Sequence, residues 1–388
     1  MTFKPEEYAR RIAVTRRHMQ KASIELLVEA EPANMHWLTG YDGWSFYVPQ
    51  VVLLALEGPA VWVGRGIDRG GALLTCHMAP EDMVAYPEIL VQNPPQHPMQ
   101  FVAQEIEKRG WSKARTGIAE DSFYFSPMAR SALRKSLPNA IFTPVDLLVN
   151  WARLVKSDAE IAVIRQAGKI TENIMNTYFA TIRPGVRQCD VAGEILKAQA
   201  SGTVAFGGDY SASIPFMPIG VQTSASHLTW TDQIVRTDQT TYLECSGVRL
   251  RYHSPLARTV HLGKPSQKLL DVNKAVLDGM EAAMAEVKPG HTCEKVEAAW
   301  RAALARHGLK KESRIGYPIG VGYPPTWGER TASLRAGDRT VLQPNMCFHM
   351  ILGMWMGDWG FETSETFRVT DTGAEYFSSV PRGLRVID

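Results

Sequence analysis

The sequence predicts an α/β (α+β) protein with two domains, an N-terminal α/β domain over residues 1–150 and a C-terminal domain over residues 151–388. The chain has 388 residues, which exceeds the size of one ordinary compact core. Helical and strand-like patterns alternate in its first part. After residue 150, two long amphipathic helices each end at a Pro-Gly pair and lead into strand-rich segments.

The N-terminal domain is predicted from short periodic segments. Residues 6–22 and 101–109 have the spacing of amphipathic helices. Runs of apolar and β-branched residues predict strands at residues 23–28, 51–63, 115–120 and 140–144. Strands that alternate with helices in this way indicate layered α/β packing.

The C-terminal domain is predicted to contain two similar halves. Ser157 and Glu160 form a capping box at the start of a helix that ends at residues 183–185, Arg-Pro-Gly. A second helix, residues 269–287, ends at residues 288–290, Lys-Pro-Gly. Both stops lead into another helix and then into strands, which predicts a duplication about a pseudo-twofold axis, with helices outside, curved sheets inside and a cleft between the halves. Chance similarity is the alternative, because Pro-Gly pairs commonly follow helices.

Bulk composition argues against several function classes. The formal net charge is +2, so there is no broad basic surface for nucleic acid or anionic lipid. The longest apolar stretch, residues 51–63, is interrupted at residues 57–59 and is too short to cross a bilayer. The N-terminal residues lack the apolar segment of a secretory signal, and the 5 dispersed cysteines are typical of reduced thiols. We therefore expect a cytoplasmic protein with neither a nucleic-acid nor a membrane partner.

Four ordered segments carry a family resemblance. They are RLVKSDAEI at residues 153–161, TYLECSGVRLRYHSPLARTVHLG at residues 241–263, RIGYPIGVGYPPTWGE at residues 314–329, and the strand-rich residues 342–373. Together they resemble metallopeptidase family M24, which includes methionine aminopeptidase, prolidase and creatinase. The resemblance implies the pita-bread fold for the C-terminal domain, a creatinase-type N-terminal domain, and a homodimer.

The metal ligands of that family fall on residues that cannot all bind metal. Its peptidases hold two metal ions with Asp, Asp, His, Glu and Glu, and the resemblance places these ligands at Glu244, Pro255, Tyr317, Ile351 and Ser364 or Glu365. Proline and isoleucine side chains have no donor atom, and a tyrosine phenol is neutral at pH 7. We therefore expect an enzyme without a metal site and without a cofactor.

Two branches of the family indicate a substrate. Creatinase works without metal and uses a histidine for proton transfer, and the segment VQTSASHLTWTDQ places His227 at that position. The segments NMHWLTGYDGWSFYV, FGGDY, HLTWTD and GYPPTWGE resemble the ectoine hydrolases, which open the ring of the zwitterionic cyclic amidine ectoine. The implied activity is metal-independent hydrolysis of ectoine to N-acetyl-diaminobutyrate. The alternatives are a creatinase-like amidinohydrolase for another zwitterion, a non-catalytic binding protein of this fold, and a metal-dependent Xaa-Pro peptidase.

Three residues are predicted to carry the chemistry. Glu244 is the candidate nucleophile, because the resemblance aims it into the cleft and pairing with an amidinium keeps a buried carboxylate ionised. The alternative is a strand residue that pairs with a nearby arginine. His227 is expected to protonate the departing ring nitrogen and then to activate water. Glu365, or Glu362 nearby, is expected to bind the amidinium or to orient water.

The predicted substrate-binding residues are aromatic or charged. Arginine is suited to bidentate binding of the substrate carboxylate, and tryptophan faces are suited to its cationic ring, although buried packing is the alternative for each tryptophan. Trp44 and Phe46 are expected to act from the partner subunit, as in creatinase-like dimers, the alternative being a local turn at residues 42–43. The predicted binding residues are Tyr317, Arg258 (or Arg330), Trp327, Trp44, Phe46, Tyr210 and Glu362.

Overall fold

The chain folds into two compact units. The structure is a computed structural model that describes residues 3–388. The first unit ends at Arg153 and the second comprises Leu154–Asp388; the boundary predicted from the sequence is at residue 150. Each unit has its own clusters of buried apolar side chains. The element content of both units is mixed α/β, which confirms the predicted fold class.

The first unit is a mixed sheet with helices packed on it. Its helices are α1 (Pro5–Lys21), α2 (Pro32–Thr39), α3 (Arg69–Thr75), α4 (Pro98–Lys108), α5 (Pro127–Ser136) and α6 (Leu148–Ala152). Its strands are β1 (Leu26–Glu29), β2 (Val51–Ala55), β3 (Val61–Arg65), β4 (Met83–Tyr86), β5 (Arg115–Ile118) and β6 (Ile141–Pro144). The strand order is β4-β3-β2-β1-β5-β6, with β1 antiparallel to β2 and parallel to β5.

The single strand predicted at residues 51–63 is wrong. The segment forms the antiparallel hairpin of β2 and β3, in which Val51 pairs with Val63. The chain reverses at Gly58, whose φ of 78° lies in the left-handed region that glycine adopts without steric cost. The apolar residues on both sides of this turn form a nearly continuous run in the sequence, which conceals the reversal.

The second unit repeats one arrangement of helices and strands. Its helices are α7 (Asp158–Thr181), α8 (Gln188–Ser201), α9 (Gln267–Ala285) and α10 (Cys293–Arg306). Its strands are β7 (Gln239–Arg249), β8 (Tyr252–Leu262), β9 (Gly316–Tyr323), β10 (Thr326–Gly328), β11 (Cys347–Trp355), β12 (Gly360–Val369), β13 (Ala374–Tyr376) and β14 (Arg385–Ile387). A helix pair therefore precedes each group of long strands, as the duplicated sequence pattern predicts.

Local signals in the sequence explain where these helices begin and end. The Ser157 hydroxyl accepts from the backbone N–H of Glu160 at 3.2 Å, and the Glu160 carboxylate accepts from the N–H of Ser157 at 2.8 Å. This is the predicted capping box of α7. After α7 and α9, Gly185 and Gly290 have φ values of 91° and 87°, which lets the chain leave the helical direction. No helix within residues 3–388 is long and apolar enough to cross a membrane.

The strands of both halves join in one sheet, in the order β13-β12-β11-β9-β8-β14, with β7 on β8 and β10 on β9. Tyr252 of β8 pairs with Val321 of β9 where the halves meet. Successive side chains of a strand face opposite sides of a sheet. Leu243 and Cys245 of β7 pack in one apolar cluster with Ile170 of α7. We call the side of the sheet away from the helices the inner face, and Glu244 therefore lies on it.

The same alternation orients the second half. Phe348 of β11 and Phe361 of β12 pack in an apolar cluster that includes Val276 of α9. Residues that are one or three positions away from these two on the same strand consequently lie on the inner face. They include His349, Ile351, Glu362 and Ser364.

Candidate active site

A cavity with a volume of about 330 Å³ lies beside Glu244 in the second unit. Ligand pockets in proteins commonly measure about 300–1,000 Å³, so this cavity suits a small molecule. It brings together four residues that the sequence predicted for the site and two arginines, one of which, Arg330, was the predicted alternative to Arg258. The six chemically active lining residues are Glu244, His227, Tyr317, Trp327, Arg314 and Arg330.

Glu244 is a buried carboxylate on the central hairpin. It lies on β7, and its residue is only 4% exposed. Its backbone N–H donates to the carbonyl of Phe216 and its carbonyl accepts from the N–H of Phe216, both at 2.9 Å. Burial, and the nearby carboxylate of Glu362, raise the pKa of Glu244 well above 4.5. A positively charged ligand in the cavity would oppose this shift.

Glu362 is a second buried carboxylate on the inner face. Burial raises its pKa to about 7, and the ammonium of Lys311 acts in the opposite direction. Within residues 3–388, its Oε1 atom has no hydrogen-bond partner. Lys311 donates to the carbonyl of Gly353 at 2.7 Å and lies 4.5 Å from the ring centre of Trp355. Two carboxylates in such surroundings favour the binding of a cation.

His227 lies on an exposed loop at the wall of the cavity. Its φ of 64° places a non-glycine residue in the left-handed region, which is uncommon and costs about 1–3 kcal/mol. Its ring centre lies 5.1 Å from that of Phe216. The Tyr242 hydroxyl donates to the carbonyl of Ala225 at 3.1 Å, two residues before His227. Tyr242 therefore attaches the His227 loop to β7.

Tyr317 is held by a chain of hydrogen bonds. The indole N–H of Trp327 donates to the Tyr317 hydroxyl oxygen at 2.9 Å. The same oxygen lies 3.1 Å from Nδ1 of His349, whose Nε2 lies 2.7 Å from Oγ of Ser364. Burial raises the pKa of Tyr317 and lowers that of His349 to about 3. Both side chains are therefore neutral near pH 7.

Two arginines give the cavity a positive wall. Arg314 and Arg330 both line it, and the guanidinium of Arg314 lies 4.6 Å from the ring centre of Tyr317. The Arg314 Nη1 group also donates to Oγ of Ser333 at 3.2 Å. A guanidinium can bind a carboxylate with two parallel hydrogen bonds. The cavity lining thus combines the carboxylate of Glu244 with two guanidinium groups, and these charges are complementary to those of a zwitterion.

Glu365 and Arg258 lie elsewhere. Glu365 is three positions from Glu362 on β12 and faces the helix side of the sheet. Its Oε1 accepts from the Arg258 guanidinium at 2.7 Å, with both side chains 1% exposed, and from Arg382 at 3.1 Å. Arg258 also donates to the carbonyls of Ala257 and Pro381, among others. The structure does not bring this ion pair to the cavity, so Glu362 is the acidic residue that accompanies Glu244.

Three other predicted residues are not in the cavity wall. Tyr210 packs under the guanidinium of Arg251, 3.6 Å from its ring centre, and its ring meets Tyr323 edge-on. Trp44 and Phe46 belong to the first unit, where their ring centres lie 4.7 Å apart and Trp44 is 56% exposed. Their action from a partner subunit stays a prediction.

His253 of β8 has a structural role. Its Nε2 accepts from the N–H of Ala212 at 2.9 Å, and Nδ1 lies 2.9 Å from the carbonyl of Arg251, to which it donates. Burial lowers its pKa to about 3. Both ring nitrogens are therefore used to hold the loop that leads to Ser213 and Phe216 of the cavity wall.

Comparison with family models identifies both units. Residues 162–371 match the metallopeptidase family M24, and residues 11–155 match the creatinase/prolidase N-terminal domain. The chain belongs to metallopeptidase family M24. It is a hydrolase of that family, with the predicted pita-bread fold in the second unit.

Relatives within M24 match the whole chain. The ectoine hydrolase of Halomonas elongata is 43% identical over 393 residues, covering 100% of this chain and 98% of that protein. An uncharacterized hydrolase/peptidase of Sinorhizobium fredii is 42% identical over 387 residues, covering 100% and 99%. The crystal structure of dipeptidase PepE from Mycobacterium ulcerans superposes with a TM-score of 0.81 over 99% of both chains at 23% identity. That last likeness establishes the fold alone.

The side chains at the M24 ligand positions do not suit two metal ions. Pro255 and Ile351 have no donor atom. The Tyr317 hydroxyl is bonded as described above, and Oγ of Ser364 accepts from the N–H of Ala257 at 2.6 Å. Glu365 is directed to Arg258. Within residues 3–388, no group of three His, Cys, Asp or Glu side chains is arranged to hold a metal.

Sequence reasoning missed several residues of this M24 site. His349 is the main omission, although strand alternation puts it on the same face as Ile351, an M24 ligand position. That spacing could have revealed it. Arg314 and Lys311 lie in the irregular segment between α10 and β9, and Lys311 affects the site through its charge near Glu362. Neither residue therefore has a local signal in the sequence.

Proposed function

We propose that this protein hydrolyses a carbon–nitrogen bond of a small cyclic amidine that carries a carboxylate, with ectoine as the favoured substrate. One observation carries the proposal: a small cavity is lined by the buried carboxylate of Glu244, near which the Glu362 carboxylate lies, and by two arginines. An amidinium carboxylate has the complementary charges. The likeness to the ectoine hydrolase of Halomonas elongata over the whole chain supports ectoine within that class.

In the proposed mechanism Glu244 is the nucleophile. Its carboxylate bonds to the amidinium carbon, and protonated His227 gives its proton to one ring nitrogen, which leaves as an amine when its bond to carbon breaks. Neutral His227 then takes a proton from water, and the water oxygen bonds to the same carbon. The bond to Glu244 breaks, the product keeps one nitrogen as an amide, and the released proton ends on the amine. One water is consumed in total.

Other side chains in the cavity lining, and Glu362 beside Glu244, are assigned to binding. We assign Arg314 and Arg330 to the substrate carboxylate, because arginine binds carboxylates bidentately. Glu362 is assigned to the positive charge of the ring, and the face of Trp327 to its π system. Of the alternatives that the sequence prediction left open, Arg330 and Glu362 are kept, and Arg258 and Glu365 are not, since those two side chains bind each other.

We further propose that the reaction uses neither metal nor cofactor, because at the family's ligand positions other than Glu244 the donors are missing or already bonded. Cytoplasmic location and a homodimer, with the partner subunit's Trp44 and Phe46 closing the site, are proposed from the resemblance to creatinase-like enzymes.

The proposal is tested by incubating the protein with ectoine, hydroxyectoine or creatine and following the products by mass spectrometry. We expect ectoine to gain the mass of one water, with amine and amide groups in the product, and the rate to be unchanged after dialysis against a chelator. Turnover of creatine alone, or loss of turnover that added Mn²⁺ or Zn²⁺ restores, would contradict the substrate or the metal-free chemistry respectively.

The pH dependence of turnover reports on the two carboxylates. Glu244 must be ionised to attack, and its pKa is raised, so kcat/KM should fall on acidification along a limb well above pH 4.5. Glu362→Gln removes the neighbouring negative charge and lowers the Glu244 pKa. We expect the limb to move to lower pH, whatever the change in maximal rate. A limb that stays in place or moves to higher pH would exclude this coupling.

Stability provides a control on the same variant. The pKa of Glu362 in the folded protein, about 7, exceeds its ordinary value of 4.5, so its burial becomes costly as the pH rises through that interval. The unfolding midpoint of Glu362→Gln relative to wild type should therefore increase between pH 5 and pH 8. Glu281→Gln, at an exposed position of α9, should change neither profile.

A further inference from the structure

A chain of four hydrogen-bonded side chains runs from the cavity into the core. It joins Trp327, Tyr317, His349 and Ser364, and the last two are 0% exposed. The backbone N–H of Ala257 also donates to the Ser364 hydroxyl oxygen at 2.6 Å. Trp327 and the Ala257 amide can only donate, so they fix the hydrogen-bond roles at the two ends of the chain.

The neutral His349 ring carries one N–H proton, on either Nδ1 or Nε2. The nitrogen that carries it decides the direction of the hydrogen bonds to Tyr317 and Ser364. If Nε2 carries it, Nε2 donates to Ser364 and the Tyr317 hydroxyl donates to Nδ1. The Ser364 oxygen then accepts twice, and its own hydrogen has no acceptor in a fully buried place. Leaving a buried donor unpaired costs about 1–3 kcal/mol.

If Nδ1 carries the proton, every donor of this hydrogen-bond network except the Tyr317 hydroxyl has an acceptor within the network. The Ser364 hydroxyl donates to Nε2, and Nδ1–H donates to the Tyr317 oxygen, which also accepts from Trp327. The hydrogen of the Tyr317 hydroxyl then has no acceptor among these four hydrogen-bonded side chains. Because Tyr317 lines the cavity with Glu244, that hydrogen is left to point into the cavity.

We propose that His349 and Ser364 are positioning residues, which hold the Tyr317 hydroxyl as a donor aimed into the cavity. The proposal rests on the proposed function for its chemistry: the donor is preset for the Glu244 oxygen, which regains its negative charge as its bond to the reacting carbon breaks. A donor fixed in advance in this way stabilises charge as it develops in the transition state. His349 acts only through Tyr317 and does not touch the substrate.

The tautomer is tested directly and without substrate. In full-length protein labelled with ¹⁵N-histidine, long-range ¹H–¹⁵N NMR spectra distinguish Nδ1–H from Nε2–H, and the His349 signal is assigned by its loss in His349→Asn. We expect a neutral ring with the proton on Nδ1 between pH 6 and pH 8. A proton on Nε2, or a charged ring in this range, would overturn the proposal even if ectoine is hydrolysed.

A double-mutant cycle with ectoine tests the coupling. Tyr317→Phe should lower kcat by about 10²–10³-fold with little change in KM. His349→Leu should lower kcat to a similar extent, and the double variant should be no slower than Tyr317→Phe alone. His349→Asn, whose amide can still donate to the Tyr317 oxygen, should recover part of the loss. Losses that multiply in the double variant would show a merely structural role for His349 and overturn the proposal.

The two experiments separate this proposal from the proposed function. If no cyclic amidine is turned over but the Nδ1–H tautomer is found, the proposed function fails and the orientation of Tyr317 stands. If ectoine is turned over and the tautomer is Nε2–H, the reverse holds. If His349→Leu does not fold, the NMR result and the His349→Asn variant still decide the question.

Discussion

Replacing Glu244 by glutamine is expected to lower kcat for ectoine by about 10⁴-fold or more, because the variant lacks the nucleophile. Glutamine has nearly the same shape as glutamate, so β7 and its bonds to Phe216 should be kept. The change also removes a buried group whose pKa is raised, so the folded state should be no less stable near neutral pH. Steady-state kinetics and an unfolding midpoint measure the two effects.

The covalent route can be observed separately. Ring opening leaves the amine attached to the same molecule, so an enzyme quenched with acid during turnover should gain the mass of one whole substrate on the peptide that contains Glu244. Glu244→Gln should give no adduct, and Glu281→Gln, exposed on α9, should behave like wild type in both assays. Turnover by Glu244→Gln within about tenfold of wild type would rule out both the nucleophile and a general base at this position.

Replacing Glu365 by alanine is expected to destabilise the second unit by about 3–5 kcal/mol, the cost of leaving a buried charge without its partner. Arg258 is 1% exposed at its side chain and binds Glu365 at 2.7 Å, and Arg382 reaches the same carboxylate from the surface. Burial raises the pKa of Glu365 although both arginines lower it, so the ion pair is held in apolar surroundings. Denaturant unfolding at pH 7 measures the loss.

Glu375→Ala is the matched control for this prediction. Glu375 also pairs with two arginines, Arg165 and Arg368, but its side chain is 31% exposed, and theirs are 48% and 22% exposed. Exposed ion pairs contribute about 0–1 kcal/mol, so this variant should unfold close to wild type. If Glu365→Ala kept its stability and instead lost turnover, Glu365 would be a site residue, as the sequence first suggested, and the assignment of Glu362 would be wrong.

Much of the fold follows from local patterns in the sequence. The capping box at Ser157, the Pro-Gly stops and the helical periods predict α7 and α9 closely, because each depends on residues a few positions apart. The hairpin of β2 and β3 escaped this reasoning. Its turn is short and lies between two apolar runs. The periodicity of residues within one strand also carries no information about the antiparallel pairing of two strands.

The site, like the fold, combines features that the sequence predicts with features that only the structure shows. The loss of ligand chemistry at Pro255 and Ile351 is a property of residue type and needs no structure. The family resemblance selected Glu244, His227 and Tyr317, and the structure brings these three to one cavity. The roles of the three in catalysis remain proposals.

Residue type and short-range spacing in the sequence by itself determined the two-part α/β fold, and the family resemblance added the prediction that residues without donor atoms hold two of the metal positions. Only the tertiary structure decided which of Glu362 and Glu365 accompanies Glu244, and that His349 supports Tyr317. The physical reason is sequence distance: Arg258 and Glu365 are 107 positions apart, and Tyr317 and His349 are 32 apart. Strand register and the face of the sheet determine which partner each side chain contacts. Register and face are both set only when the strands assemble into the sheet.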